Sequence, residues 1–228
     1  MLIARTLGTL LNLIYNLVNN YGIAIILFTV IVKLILLPLT LNQTKQTKKM
    51  QKIQPKVKEL QEKYKNDKEK LNIKIMELYK EHKINPLSGC LPMLIQIPII
   101  YGLFGALRKP EVFVFPNNPE LLSKAINAPF LWLPNLVNPD VFLLGNLKLP
   151  GVLPILAAIT TYLSMNQMNT GEQAQQMKVM NTVLPLMILW WGISLPAGLT
   201  LYWAVSNIFQ MAQQYFLTKG VKLKEESN

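Results

Sequence analysis

The chain has 228 residues, of which 51% are hydrophobic, yet its formal net charge is +11. Mean hydropathy is +0.27, and this pairing excludes an evenly mixed soluble surface: it fits apolar stretches in lipid and lysines segregated into loops. One cysteine, Cys90, and one histidine, His82, exclude an intrachain disulfide framework and a His- or Cys-rich metal centre.

Residues 1–20 place Leu7, Leu10, Ile14 and Val18 on one helical stripe and Arg5, Thr9, Asn12 and Asn16 on another. That spacing predicts an amphipathic helix in the membrane interface. A signal sequence is the rival reading, weakened by the asparagines and by the lack of a small-x-small cleavage site.

Residues 21–41 hold the first span, whose apolar run IAIILFTVIVKLILLPLTL is broken by Lys33 alone. Nineteen residues rising ~1.5 Å each reach ~28 Å, close to the hydrocarbon thickness. Residues 42–90 then change character, with 13 lysines against 6 acids. Met50, Ile53, Val57, Leu60 and Tyr64 repeat at helical spacing, and Leu71, Ile75, Leu78 and His82 do so again. Asn66-Asp67 supplies a turn with Asp67 as N-cap, and Pro55 kinks or restarts the first arm. The expected object is an antiparallel helical hairpin in the cytoplasm.

The second span is 91–109. Residues 110–150, with seven prolines and six asparagines, form an external loop lying partly on the membrane surface. The third span is 151–168, a cytoplasmic loop fills 169–181, and the fourth and fifth spans are 182–195 and 197–217. A short tail, 218–228, follows. Threading the spans puts the N-terminus outside and the C-terminus inside, so both basic segments fall on the cytoplasmic side. The fold class is therefore an all-α polytopic membrane protein.

A mid-span lysine costs ~2.5–3.5 kcal/mol on translocon-type scales. No Asp or Glu occurs in the five spans, so an anionic partner for Lys33 within them is absent, and a wet intramembrane cavity is the expected setting. Thr29, Lys33 and Thr40 share one face of the first span. Gln96 lies between Pro92 and Pro98. Thr160, Ser164 and Gln167 share a stripe in the third span, as do Thr200, Trp203, Asn207, Gln210 and Gln214 in the fifth. Such stripes read either as the lining of a hydrated groove or as hydrogen bonding between helices; their length favours the groove. The pair Cys90 and His82 is a weak signal of nucleophilic chemistry, and no carboxylate is available for intramembrane catalysis. No enzyme, cofactor or metal is expected. Aromatic and basic residues do not interleave as in RNA-binding modules, so no specific nucleic acid is expected either.

The order of motifs resembles a known family. A cation-bearing span with Thr29, Lys33 and Leu37-Pro38-Leu39-Thr40 comes first. Next is the hairpin segment QPKVKELQEKYKNDKEKLNIKIMELYKEHKINPLSGCLPMLIQIPI, and finally LPAGLTLYWAVSNIFQMAQQYFL. Together they resemble the YidC/Oxa/Alb membrane insertases, in their short bacterial YidC form. The resemblance implies five spans around a hydrophilic groove that opens to cytoplasm and lipid but is closed outside. It implies that a groove cation draws the acidic external segment of a nascent membrane protein inward, and that the substrate helix leaves along the third and fifth spans. By motif position Lys33 takes the cation's role, Thr29 lies one turn before it, and Gln96 and Trp203 line the groove. Asn207, Ser164 and Gln167 join them from the polar stripes. The implied partners are nascent membrane proteins, lipids, the ribosome and, in some members, the Sec translocon. The family cation is usually arginine; Lys33 is a compact ammonium on a flexible stem. Two other readings stand beside this one: a secondary transporter with Lys33 as substrate counter-ion, and a ribosome anchor.

Overall fold

The computed structural model describes residues 2–85, 91–168 and 178–225. Cys90 and most of the 169–181 loop lie outside the described residues. The chain is mostly helical, beginning with α1 (Leu2–Val18) and α2 (Tyr21–Ile35). Asn19, at φ 52°, ends α1 in the left-handed region that asparagine tolerates. Asn20 then caps α2, its side chain accepting from the Ile23 N–H at 3.0 Å. The α1 face that docks carries Leu11, Ile14 and Tyr15, with Leu7, Leu10 and Val18 half-buried beside them.

The backbone breaks at Leu36, and α3 (Leu37–Lys63) leaves α2 at 60°. The expected first span, 21–41, is therefore bent rather than straight. Pro38 is the cause: it lacks the N–H that would reach the Leu34 carbonyl, and its ring crowds that carbonyl. Pro55 does not restart the helix, which runs through it to Lys63. At the turn, Asp67 accepts from the Lys70 N–H at 3.0 Å and starts α4 (Lys68–Glu81). Met50, Ile53 and Val57 pack on Leu78 and Ile84, with Leu60, Ile75 and Tyr79 at the edge. These residues make α3 and α4 a hairpin with its own apolar seam. Burial there pushes the Tyr79 phenol up, and the hydrogen bond that the Lys74 ammonium donates to Glu77 holds that ammonium above its usual range.

After α5 (Leu91–Arg108) come the short α6 (Pro110–Phe113) and α7 (Pro119–Ile126). The all-α expectation needs one correction, at 141–150. Here β1 (Val141–Leu144) and β2 (Leu147–Pro150) pair antiparallel across Gly145-Asn146. Gly145 takes φ 61°, as the first central position of a tight hairpin turn demands. The chain continues through α8 (Val152–Met168), α9 (Lys178–Gly192) and α10 (Ala197–Glu225).

Helix α10 is the hub, packing against α2, α5 and α8, while α9 packs on α8 and α1 on α2 and α5. The main core joins Leu11 and Tyr15 to Ile25, Phe28, Leu103, Leu107 and Tyr202. Phe115, Leu133 and Leu136 enter that core from the 110–150 segment, and Tyr15 meets Phe115 edge-on at 5.1 Å.

The segment's own polar groups explain why so long a connection is ordered. The carbonyls of Asn138 and Leu136 accept from Ala197 and Gly198, both at 2.9 Å, satisfying N–H groups at the start of α10 that have no partner within the helix. The Asp140 carboxylate accepts from the Leu153 N–H at 2.6 Å at the start of α8. There its charge also suits the positive end of the helix dipole. Gly151 sits against Asp140 so closely that any side chain would collide with it. The Phe130 ring likewise occupies the space that a side chain at Gly22, at the start of α2, would need. One end of the bundle thus gathers the starts of α2, α8 and α10. The end of α9 is there too, since Gly192 abuts Pro154. Among the described residues no single helix is both long and apolar enough to cross a membrane, whereas the bent pair Tyr21–Ile35 and Leu37–Met50 is, taken together.

Candidate functional site

Lys33 is buried, with 9% of its surface exposed. It lies two residues before the end of α2, one turn after Thr29 on the same face. Among the described residues its ammonium has neither a hydrogen bond nor an ion pair. Thr29 differs from its neighbour: it is wholly enclosed, and its hydroxyl donates to the Ile25 carbonyl at 2.7 Å.

The remaining expected residues are distributed around α10. Gln96, half-buried on α5, donates to the Tyr202 hydroxyl at 2.7 Å, and Ser206 also hydrogen-bonds that hydroxyl. Asn207 donates to Thr161 Oγ1 at 2.8 Å and to Thr160 Oγ1 at 3.2 Å, tying α10 to α8. Ser164 is buried on α8. Gln167 reaches the Met211 carbonyl at 3.4 Å, a long contact at the same seam. Trp203 packs instead with Ala157, Ile188 and Leu184, where α8, α9 and α10 meet. Five of the seven residues thus lie on α5, α8 and α10, and Thr29 and Lys33 on α2. At Gln96, Asn207 and Gln167 the polar groups bond between helices.

Sequence reasoning missed Tyr202 and Thr161. Both sit beside residues of the polar stripes, but one position off the helical period, so periodicity alone passes over them. Their signal is a hydroxyl inside an apolar helix, which needs a partner when buried.

Farther along the bundle, Gln213 donates to Thr40 Oγ1 at 2.9 Å, joining α10 to the start of α3. Beside that bond lies a cavity of ≈ 370 Å³ with an apolar lining from Leu37, Leu41, Phe209 and Phe216. Lys33 is not among its lining residues. Among the described residues no group of three or more His, Cys, Asp or Glu side chains is placed to hold a metal. What this arrangement offers chemically is charge and hydrogen bonding, with no nucleophile–base pair beside Lys33 among the described residues.

Comparison with known proteins bears on this geometry. The family described as 60Kd inner membrane protein matches residues 13–226. A Fusobacterium nucleatum protein named membrane protein insertase YidC is 43% identical over 218 residues, which cover 96% of both chains. Its namesake from Caldanaerobacter subterraneus is 42% identical, covering 99% of this chain and 98% of its own. One from Citrifermentans bemidjiense is 40% identical, but only 37% of its length is covered. A crystal structure of active YidC insertase, with its first transmembrane domain resolved, superimposes with TM-score 0.64 at 30% identity. That match covers 89% of this chain and 43% of the other.

Proposed function

The chain belongs to the 60Kd inner membrane protein family, and from that premise we infer that it is a membrane protein insertase of the bacterial inner membrane. It acts on nascent membrane proteins and is not an enzyme. Its task is to lower the barrier for a polar segment crossing ~30 Å of hydrocarbon, where each unpaired polar group costs several kcal/mol.

The single observation that carries the finer mechanism is Lys33: a buried ammonium with neither a hydrogen bond nor an ion pair among the described residues. An isolated cation in a medium less polarisable than water attracts carboxylates strongly. Lys33 therefore receives the acidic external segment of a substrate and holds it partway across. The bonds that α10 makes to α5 and α8 through Gln96 and Asn207 keep the neighbouring walls in place. The substrate helix then passes into lipid along α8 and α10.

Five helices (α2, α5, α8, α9 and α10) serve as the spans. The gathering of helix starts under the 110–150 segment supports an alternating path, with that segment closing the outer side. The 13 lysines of residues 42–90 support a cytoplasmic hairpin, and that hairpin faces the ribosome; the Sec translocon is a further partner. The N-terminus lies outside, with α1 at the interface, and the C-terminus inside. Helices of 15 to 17 residues, such as α9 and α8, span only ~22–26 Å, which suits a locally thinned bilayer.

The test is insertion of single-span substrates by Lys33→Ala and Lys33→Arg variants in a depletion strain. Loss with alanine and retention with arginine are expected for acidic external tails. Unimpaired insertion by the alanine variant refutes the cation's role.

A further inference from the structure

The hairpin β1–β2 carries a face that nothing among the described residues covers. The register Phe142↔Leu149 and Leu144↔Leu147 puts two directly opposed apolar pairs on one side of the ribbon. All four side chains are exposed, from 38% at Leu149 to 68% at Leu144. The other side holds Leu143, 70% exposed, opposite Lys148. An isolated two-stranded ribbon is marginal in water, and such a contiguous apolar surface on a soluble face marks an interaction site.

Its position identifies the occupant. Strand β2 packs against α8 and α9, beside the end of α9 that carries the exposed Trp190 and Trp191. The hairpin thus lies against α8 and α9, which carry the exposed Ile155 and Leu156 as well as the two indoles. Indole side chains are enriched where hydrocarbon meets headgroups, and Trp132 adds a third, its Nε1 donating to Asp140 Oδ2 at 3.4 Å. Lys148, the ribbon's one charge, has a stem long enough to lift its ammonium to the headgroups.

We propose that the β1–β2 hairpin is a lipid-binding element whose Phe142, Leu144, Leu147 and Leu149 face lies in the acyl region of the outer leaflet. Anchored to the start of α8 through Asp140, it sets the depth at which α8 and α9 sit. This rests on the membrane topology proposed above, and the experiment separates the two.

Full-length protein with Cys90→Ala is reconstituted in phosphatidylcholine–phosphatidylglycerol vesicles. A polarity-sensitive fluorophore is placed on Leu144→Cys, on Leu186→Cys in α9 as membrane reference, or on Glu120→Cys in α7 as aqueous reference. Expected at Leu144 is strong quenching by a shallow spin-labelled lipid, with iodide quenching several-fold weaker than at Glu120. If Leu186 responds to the lipid quencher while Leu144 matches Glu120 in iodide access, the hairpin lies in water and the inference falls alone. Shielding of Leu144 from both quenchers means that protein covers the face, and also overturns it. Failure of the lipid quencher at Leu186 overturns the topology and the inference together.

Discussion

Replacing Lys33 by methionine separates a working cation from a structural one. The substitution keeps the stem and removes the charge. Because the ammonium has no hydrogen bond or ion pair among the described residues, nothing is left unpaired when it goes. The desolvation cost of a mid-span lysine, ~2.5–3.5 kcal/mol on translocon-type scales, is relieved in part, so thermal stability holds or rises. Insertion moves the other way. A carboxylate ~6 Å from the ammonium, at an effective dielectric of ~20, is attracted by ~3 kcal/mol. Since each 1.4 kcal/mol is a factor of ten, affinity of the site for an acidic tail falls by about a hundredfold. The assay is protease protection of two single-span substrates in proteoliposomes, one with an acidic and one with a neutral external tail, alongside thermal unfolding in detergent. Selective loss for the acidic substrate at unchanged or higher stability is expected. Equal insertion of both substrates, or a drop in stability that accounts for the lost activity, refutes the reasoning.

Further outcomes follow from the ties around α10 and from the helix caps. Asn207→Ala removes two bonds to α8 and should destabilise the fold by about 1 kcal/mol, since such bonds average ~0.6 kcal/mol each in membrane proteins. A double-mutant cycle with Thr161→Val should show positive coupling. Asp140→Ala removes the cap of α8 and a partner of the Trp132 indole; the loss should be ~1–2 kcal/mol, with faster amide exchange at Leu153. Asp67→Ala should cost the α3–α4 hairpin ~1 kcal/mol. Exchange should accelerate at Lys70 and in the first turn of α4, while the main bundle is unchanged.

Features legible in the sequence are those whose cause lies within a few residues. The apolar runs, the lysine-rich segment between them and the Asp67 cap are of this kind. The seam of Met50, Ile53 and Val57 was also readable, because helical period alone puts those residues on one face. Even the bend at Leu36 has a local cause in Pro38. The β-hairpin had a local signal too: Gly145-Asn146 sits between apolar runs, though the surrounding prolines and asparagines read as loop. Tertiary structure decided the partners. Asn207 meets Thr161 across 46 residues and Gln96 meets Tyr202 across 106, and such pairings depend on how each helix is rotated about its axis against the others. Packing also encloses Thr29 wholly while Lys33 keeps 9% of its surface exposed, although both lie on one face one turn apart. A helical period says which residues share a face; only the neighbouring helices determine whether that face is closed.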